Sequence, residues 1–291
     1  MPVGGRPTVR SRRLGAALRR YRQGAKLDQP QAAEVLGVHQ TRVSRIEGGH
    51  STARIIEIRA LLSAYGVDDP KVRIKLETLA KNANRRGWWL EHAAHLRQDL
   101  LDHISLEDDA THIREWQPTL IPGLLQVPAY AEAVITSNAD FIDPSKVPSL
   151  VKVRGDRQAR IDETEGAANY TAIIWEPVII HPIVKVEIHQ EQLARILEVS
   201  KRQNVTLQVL PLSAGVKATM PSAFSCFSFD AEPTVEAVTL DNLRGSSILE
   251  GTEDLTAYTL AFDQLRSAAL GPDASARLIR GVLRRSKEES K

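Results

Sequence analysis

The fold of the first part of the chain is decided by Gln29 to Gly49, which reads QPQAAEVLGVHQTRVSRIEGG. This stretch predicts two short helices, Pro30 to Leu36 and Gln40 to Glu47, joined by a tight turn at Gly37. A positive φ at such a turn is readily adopted only by glycine. Apolar side chains lie where they would close the corner between the helices: Ala33, Leu36, Val38, Val43 and Ile46. The side chains between them are polar and face outward, and this pattern is a helix-turn-helix.

The stretch resembles the repressor/Cro-type helix-turn-helix family, often called the xenobiotic-response-element family, over Leu14 to Val67. The most specific parts of the resemblance are VSRIEGG, which starts at Val43, and the spacing of Ala33, Gly37 and Val43. In that family the second helix enters the major groove of double-stranded DNA. The resemblance implies the following DNA-binding residues: Gln29, Gln40, Thr41, Arg42, Ser44 and Arg45.

The implied roles differ along the motif. Gln29 would bond a phosphate, whereas Gln40, Thr41, Ser44 and Arg45 would face base edges. Arginine and glutamine suit base reading because each makes two parallel hydrogen bonds, to guanine and to adenine respectively.

The family also pairs an arginine of its first helix with the glutamate of the Ile-Glu element. In this chain these positions are Arg22 and Glu47. The resemblance therefore implies a structural ion pair, because a buried charge is rarely left unpaired. The alternative is that Arg22 and Glu47 are unrelated surface charges.

Size and composition bound the remaining possibilities. The 291 residues are 42% hydrophobic, which is enough for two globular domains. No apolar run approaches the ~20 residues of a membrane span, and the basic N-terminus lacks the apolar segment of a secretory signal. The single cysteine, Cys226, excludes an intrachain disulfide and suits a reducing cytoplasm, so we expect a cytoplasmic protein.

Charge is distributed unevenly along the chain. Residues 1–82 hold 16 Lys and Arg against 7 Asp and Glu, a net charge of +9, whereas residues 83–291 hold 22 against 29, a net charge of −7. A basic module joined to an acidic one is typical of a DNA reader attached to a domain that does not bind DNA. An ordinary solvated surface would give the same composition. The charge distribution therefore agrees with the DNA-binding function that the helix-turn-helix pattern indicates, but does not indicate it alone.

The sequence predicts two domains. Residues 1–82 are expected to form an all-α helix-turn-helix domain of about five helices, and residues 87–285 an α+β domain. Strand candidates in the second domain lie at Tyr170–Ile180, Val205–Leu210, Ala223–Phe229 and Thr234–Leu240. Because short turns join several of them, we expect a small, mainly antiparallel sheet.

The second domain resembles the domain of unknown function that follows a repressor-type helix-turn-helix in many regulators of high-GC filamentous bacteria. Four segments carry the likeness: WQPTLIPGLLQVPAYAEAVI from Trp116, RQAR from Arg157, NVTLQVLP from Asn204 and YTLAFDQLRSAAL from Tyr258. The resemblance implies an antitoxin-like transcriptional regulator, linked to development and antibiotic production, with a small partner protein encoded by an adjacent gene. Glu176 to Lys185, EPVIIHPIVK, departs from the family pattern, which puts any partner contact there in doubt.

Other kinds of site find little support. No G-x-S-x-G, H-E-x-x-H or phosphate-binding glycine loop is present, and Ser222, Ser225, His181 and Asp230 are scattered. We therefore expect no enzyme and no cofactor. His92, His95 and His103 lack accompanying acidic or cysteine ligands and are interpreted as surface histidines rather than a metal site.

The role of the second domain stays open at this point. It either binds a small effector or a protein partner, or serves only for dimerisation and docking; a hydrolytic domain is the least favoured reading. We expect a homodimer on a pseudo-palindromic site, because one helix-turn-helix reads too few base pairs for genomic selectivity.

Overall fold

The computed structural model describes residues 8–83, 87–137, 142–162, 165–218, 222–229, 234–242 and 245–290. The chain divides into two compact units, Met1–Trp88 and Trp89–Lys291. Across the described residues, no helix combines the length and the apolar character needed to cross a bilayer.

The described part of the first unit is all helical. Its five α-helices are α1 Val9–Gly24, α2 Gln29–Leu36, α3 Gln40–Glu47, α4 Ile55–Ala64 and α5 Pro70–Asn82. The bounds predicted for α3 are confirmed, and α2 begins one residue earlier than predicted. Its core is formed by apolar side chains from all five helices, among them Leu18, Val43, Ile46, Ile58, Leu62 and Leu76.

Local sequence explains where the motif helices begin and end. The Asp28 carboxylate accepts a hydrogen bond from the backbone N–H of Gln31, and the Gln31 side chain accepts one from the N–H of Asp28. This reciprocal capping starts α2. Gly37 ends it at φ 62°, a left-handed conformation in which a side chain is strained. These local signals explain why the predicted bounds of α2 and α3 agree with the structure to within one residue.

Two further glycines allow α1 to approach the end of α3 closely. A Cβ on Gly15 would lie 2.5 Å from the carbonyl oxygens of Ile46 and Glu47. A Cβ on Gly49, which has φ 74°, would lie 2.9 Å from the backbone nitrogen of Arg12. Glycine at these two positions therefore permits the close contact between α1 and the end of α3.

The second unit is an α+β fold. Its helices are α6 Gln98–Asp109, α7 Pro128–Thr136, α8 Val147–Arg157, α9 Glu176–Ile180, α10 Val186–Val199, α11 Thr252–Ala268 and α12 Pro272–Glu289. Its strands are β1 His112–Gln117, β2 Asn169–Trp175, β3 Val205–Leu210, β4 Phe224–Ser228, β5 Ala237–Asn242 and β6 Gly245–Leu249. Short 3-10 segments lie at Trp88–His92, Gly123–Leu125, Pro144–Lys146, Gln158–Ile161 and, interrupted at Gly215, Leu212–Ala218.

The described strands form one six-stranded mixed sheet in the order β3-β2-β1-β4-β5-β6. The β3–β2 and β2–β1 pairs are parallel, and the other three pairs are antiparallel. The prediction of a small, mainly antiparallel sheet was therefore wrong. The sheet is larger because β1 and β6 escaped prediction, and its parallel half arises because helical crossovers connect β1 to β2 and β2 to β3.

The predicted strand Tyr170–Ile180 is too long. The strand ends at Trp175, and Glu176–Ile180 forms the short helix α9. Pro177 at the start of that helix explains the change, because proline cannot donate to a strand ladder but is tolerated in a first helical turn.

The two faces of the sheet differ in character. One face packs an apolar cluster against α11, with Trp116, Ile173, Phe224, Cys226, Val238 and Phe262 among its members. Cys226 is a small core residue there, and burial raises the pKa of its thiol to about 12. The other face, toward α6 and α8, carries several polar residues.

Candidate nucleic-acid interface

Helix α3 has one buried face and one exposed face. Val43, Ile46 and Glu47 are buried in the first unit. The exposed side chains recur on the opposite side at positions one and four residues apart: Gln40, Thr41, Ser44 and Arg45. Because residues i and i+4 lie one above the other on a helix, these four form a single outward surface, which we call the reading face.

A buried ion pair lies beneath the reading face. The Arg22 guanidinium donates from Nε to Glu47 Oε1 at 2.6 Å and from Nη2 to Glu47 Oε2 at 2.9 Å. Its Nη1 donates to the carbonyl of Leu27 at 2.7 Å, which ties the pair to the segment before α2. Burial opposes ionisation of Glu47, but hydrogen bonds from Arg22 and Gln29 outweigh it and lower the pKa of this carboxyl.

The ion pair is connected to the reading face through Gln29. The Gln29 amide donates from Nε2 to Glu47 Oε2 at 3.0 Å, and its Oε1 accepts from Gln40 Nε2 at 3.4 Å. A chain of hydrogen bonds therefore runs from Arg22 through Glu47 and Gln29 to Gln40. The amide of Gln29, for which the resemblance implies a phosphate contact, is oriented by the glutamate.

Arg42 lies in a second network and not on the reading face. Its Nη2 donates to Glu57 Oε2 and to the carbonyl of Thr52, both at 2.9 Å, and its Nη1 donates to the hydroxyl of Ser51. Glu57 also accepts from the backbone N–H of Arg54 at 2.6 Å. Burial opposes ionisation of Glu57, but these donors hold its pKa below the ordinary value.

The exposed residues of α3 have few partners within the protein. Thr41 contacts His39 Nδ1 through its hydroxyl and its backbone N–H, which starts the helix. The side chains of Ser44 and Arg45 have no hydrogen-bond or ion-pair partner among the described residues. Their donors and acceptors are therefore available to an external ligand.

Sequence reasoning missed Glu57, Gly15 and the bond from Gln29 to Glu47. A signal for Glu57 was present, because glutamate three residues after a helix start often accepts a hydrogen bond from the first N–H. Gly15 gave a signal too, since glycine inside a helix is unfavourable unless a neighbouring backbone needs the space. No sequence pattern pointed to the orientation of the Gln29 amide.

The residues weighed for catalysis in the second unit are not brought together. Ser225 lies in the middle of β4, and His181 follows α9 at an exposed position. Within the part of the chain that the structure describes, no hydrogen bond joins Ser225 and His181. Asp230 lies outside the described residues.

The histidine prediction was wrong for His103. Its ring is buried, with Nδ1 3.1 Å from the hydroxyl of Thr239 and Nε2 3.2 Å from Arg157 Nη2. His92 is half-buried and His95 exposed. Among the described residues, no group of histidine, cysteine or carboxylate side chains is arranged to hold a metal ion.

Two family models match the chain, one in each of its two units. Residues 13–73 match the family model described as a helix-turn-helix domain. Residues 100–281, more than half of the chain, match the model described as a domain of unknown function, DUF5753. Neither the curated proteins nor the solved structures contain a match. The chain therefore belongs to the DUF5753 family and carries a helix-turn-helix domain before the family's defining region.

Proposed function

We propose that the protein is a sequence-specific DNA-binding transcriptional regulator of the repressor/Cro type that reads bases with α3. The observation that carries the proposal is the reading face, on which four polar side chains of one short helix are exposed while Val43, Ile46 and Glu47 anchor its other side. An α-helix fits the major groove of B-DNA, which is about 12 Å wide.

The chemistry of each side chain indicates its target. Arg45 has a free guanidinium whose fork matches O6 and N7 of guanine, and the Gln40 amide matches N6 and N7 of adenine. Thr41 offers a methyl group for thymine, and Ser44 a small hydroxyl that either donates or accepts. Arg45 is the first candidate for a specific contact because it is both exposed and without a partner among the described residues.

We assign Arg42 to the support of the interface and not to base reading. Four hydrogen bonds hold its guanidinium against Ser51, Thr52 and Glu57, so a base contact would break a network around a buried carboxylate. Gln29 takes an intermediate role: its amide is held by Glu47 and reaches Gln40. We propose that it orients Gln40 while its position at the start of α2 faces a phosphate.

The second unit is proposed to regulate DNA binding through an effector or a protein partner, as an antitoxin-like regulator paired with a small protein would. The acidic balance of residues 83–291 supports a role other than DNA binding. We further propose that the protein works as a cytoplasmic homodimer and that neither unit is catalytic. The alternative for the second unit is dimerisation or docking alone.

Selection of bound DNA from a random pool tests the proposal. We expect a recovered site with two half-sites about one helical turn apart, about 34–36 Å. A pool that shows no enrichment would refute sequence-specific binding.

The role of Arg45 is then tested by Arg45→Ala on operator variants changed one base pair at a time, at two salt concentrations. Loss of a base contact costs about 1–3 kcal/mol and relaxes preference at one position of each half-site. Loss of a phosphate contact weakens all sequences alike and lowers the salt slope by about one. Uniform weakening would therefore reject Arg45 as a base reader.

A further inference from the structure

The face of the sheet that meets α6 and α8 carries a group of buried polar side chains beside apolar ones such as Ile113 and Phe227, where sheet faces covered by helices are normally apolar. Strand alternation places Glu115 and Gln117 on this face, and the register of β1 with β2 places Tyr170 beside them. Ser225 pairs with Glu115, and Thr239 pairs with Ser225, so both share the face. All five side chains are buried. We call these five residues, together with Glu107 of α6 and with Arg154 and Arg157 of α8, the polar layer.

Most groups of the polar layer satisfy one another. Arg157 on α8 binds both oxygens of Glu107 on α6, at 2.9 and 2.8 Å, and Tyr170 donates to Glu115 Oε2 at 2.6 Å. Gln117 donates to the other oxygen of Glu115 at 3.0 Å. Burial opposes ionisation of Glu107, yet Arg157 outweighs it and lowers the pKa to about 2. These groups form a closed internal network.

Arg154, one turn before Arg157 on α8, is the exception. It donates one hydrogen bond, from Nη1 to Gln126 Oε1 at 2.7 Å. Among the described residues, no carboxylate lies within ion-pair distance of its guanidinium, and the other donors of the fork have no partner. A guanidinium carries five N–H donors, and a partly buried cation without a counter-ion in direct contact is costly. Burial, together with the neighbouring charge of Arg157, lowers the pKa of Arg154 to about 10.

The surroundings of Arg154 are pre-organised by the loop before α7. Gln126 is itself buried and fixed, because its Nε2 donates to the carbonyl of Ile121 at 2.6 Å and its own carbonyl accepts from Gln158 Nε2 at 2.6 Å. The side-chain amide that accepts from Arg154 is thus fixed by Ile121, and the backbone of Gln126 is fixed by Gln158. Asp241, at the exposed end of β5, and the buried Glu115 act electrostatically on Arg154, and neither forms an ion pair with it.

We propose that Arg154 is the anchor of a ligand site in the second unit, which takes a small molecule that carries a carboxylate or phosphate group. The anion supplies a counter-charge in direct contact with the guanidinium, which neither Asp241 nor Glu115 does, and the planar fork of Arg154 binds two of its oxygens side by side. Gln126 keeps the fork in place through its hydrogen bond to Nη1. This inference rests on the proposed regulator in one respect, the assignment of effector binding to the second unit.

Anion binding to the full chain is measured with inorganic phosphate and with succinate, each against sodium chloride at equal ionic strength. Thermal unfolding is followed by tryptophan emission, because Trp89, Trp116 and Trp175 lie in the second unit and report on it. A ligand that binds only the folded state raises the Tm. We expect at least one of the two anions to raise the Tm beyond chloride, and Arg154→Gln to weaken that anion's affinity about ten- to a hundredfold.

Two further variants make the test specific. Arg154→Lys keeps the charge but not the fork, and is expected to bind with intermediate affinity. Arg195→Gln removes an arginine of α10 that pairs with Glu198 and is expected to leave anion binding unchanged. Equal responses to phosphate, succinate and chloride, or equal responses of wild type and Arg154→Gln, would overturn the proposal. DNA selection on the same preparation distinguishes failure of this inference from failure of the proposed function. If DNA sites are enriched but no anion binds, only the ligand site is rejected. If an anion binds but no DNA site is enriched, only the proposed role as a DNA-binding regulator is rejected.

Discussion

Replacement of Arg22 by alanine tests whether the ion pair beneath the reading face supports the first unit. Arg22 and Glu47 are only 7% and 5% exposed, and the substitution removes two hydrogen bonds to Glu47 and one to Leu27. Removal of one partner from a buried ion pair costs about 3–5 kcal/mol. In the variant, Glu47 still accepts a hydrogen bond from Gln29 at 3.0 Å and lies 3.7 Å from the exposed Arg19. We therefore expect a loss of unfolding free energy at the lower end of this range, about 3 kcal/mol.

Differential scanning calorimetry of the full chain measures this cost, since each unit has its own core. A domain of this size loses about 4–8 °C in Tm per kcal/mol, so the transition of the first unit should fall by about 12 °C or more. The transition of the second unit should stay in place. Arg59→Ala is the matched control: it breaks the exposed ion pair with Glu77, which should change the Tm little.

The pH dependence identifies the cause of the loss. In the wild type the folded-state pKa of Glu47 is lowered. The ion pair therefore contributes its full stability at pH values above the unfolded-state pKa of about 4.3, and this stability is lost as the pH falls from there through the folded-state pKa. In Arg22→Ala, burial without the guanidinium raises that pKa, so the deficit should shrink on acidification from about pH 7 to about pH 4. Joint replacement, Arg22→Met with Glu47→Leu, should recover most of the stability. A deficit that is independent of pH, or a double variant as unstable as Arg22→Ala, would refute the reasoning.

Three further predictions follow from the same geometry. Arg42→Ala should destabilise the first unit by about 1–3 kcal/mol, because Glu57 loses its guanidinium, while base preference in the DNA selection is retained; an altered preference at one base position would return Arg42 to the reading face. The segment 1–83 should fold alone and bind DNA more weakly than the full chain, with affinity that falls steeply with salt; a gel shift insensitive to salt would contradict this. Light scattering should give twice the 32.2 kDa chain mass, and a monomer that protects one asymmetric half-site would exclude the dimer.

The sequence predicted the first unit closely because its signals are local. Asp28, Gly37 and the apolar spacing of Val43 and Ile46 each act within a few residues, and the bounds of α3 were confirmed. The sequence did not predict contacts between residues that are distant along the chain. Arg42 and Glu57 are 15 residues apart, and nothing in either residue's neighbourhood indicates that the guanidinium turns toward α4.

The sheet of the second unit was predicted less well for a physical reason. Strand β1 is central in the sheet but reads HIREWQ, with charged and polar residues on both faces. A buried strand is normally recognised by a run of apolar residues, and β1 has none because its polar side chains satisfy one another inside the molecule. The polar layer, whose side chains prevented the prediction of β1, also contains Arg154. The place where the hydrophobic pattern did not predict the strand is therefore also the place of the proposed ligand site.

The contrast between Arg42 and Arg45 shows what a structure adds to a motif. Both arginines lie on one short helix, three residues apart, and the resemblance implied DNA binding for both, with a base-edge role for Arg45 alone. Three residues along a helix leave an angular offset of only about 60°, so the two side chains are neighbours, but Arg42 lies at the edge that meets Glu57 and Arg45 is exposed. An arginine that already neutralises a buried carboxylate cannot leave it without cost, whereas an exposed arginine without a partner exchanges only water for a base edge. The partner of each guanidinium therefore distinguishes a supporting arginine from one free to bind a ligand. In the second unit the same criterion, taken together with burial, points to Arg154, whose guanidinium makes one hydrogen bond, to Gln126.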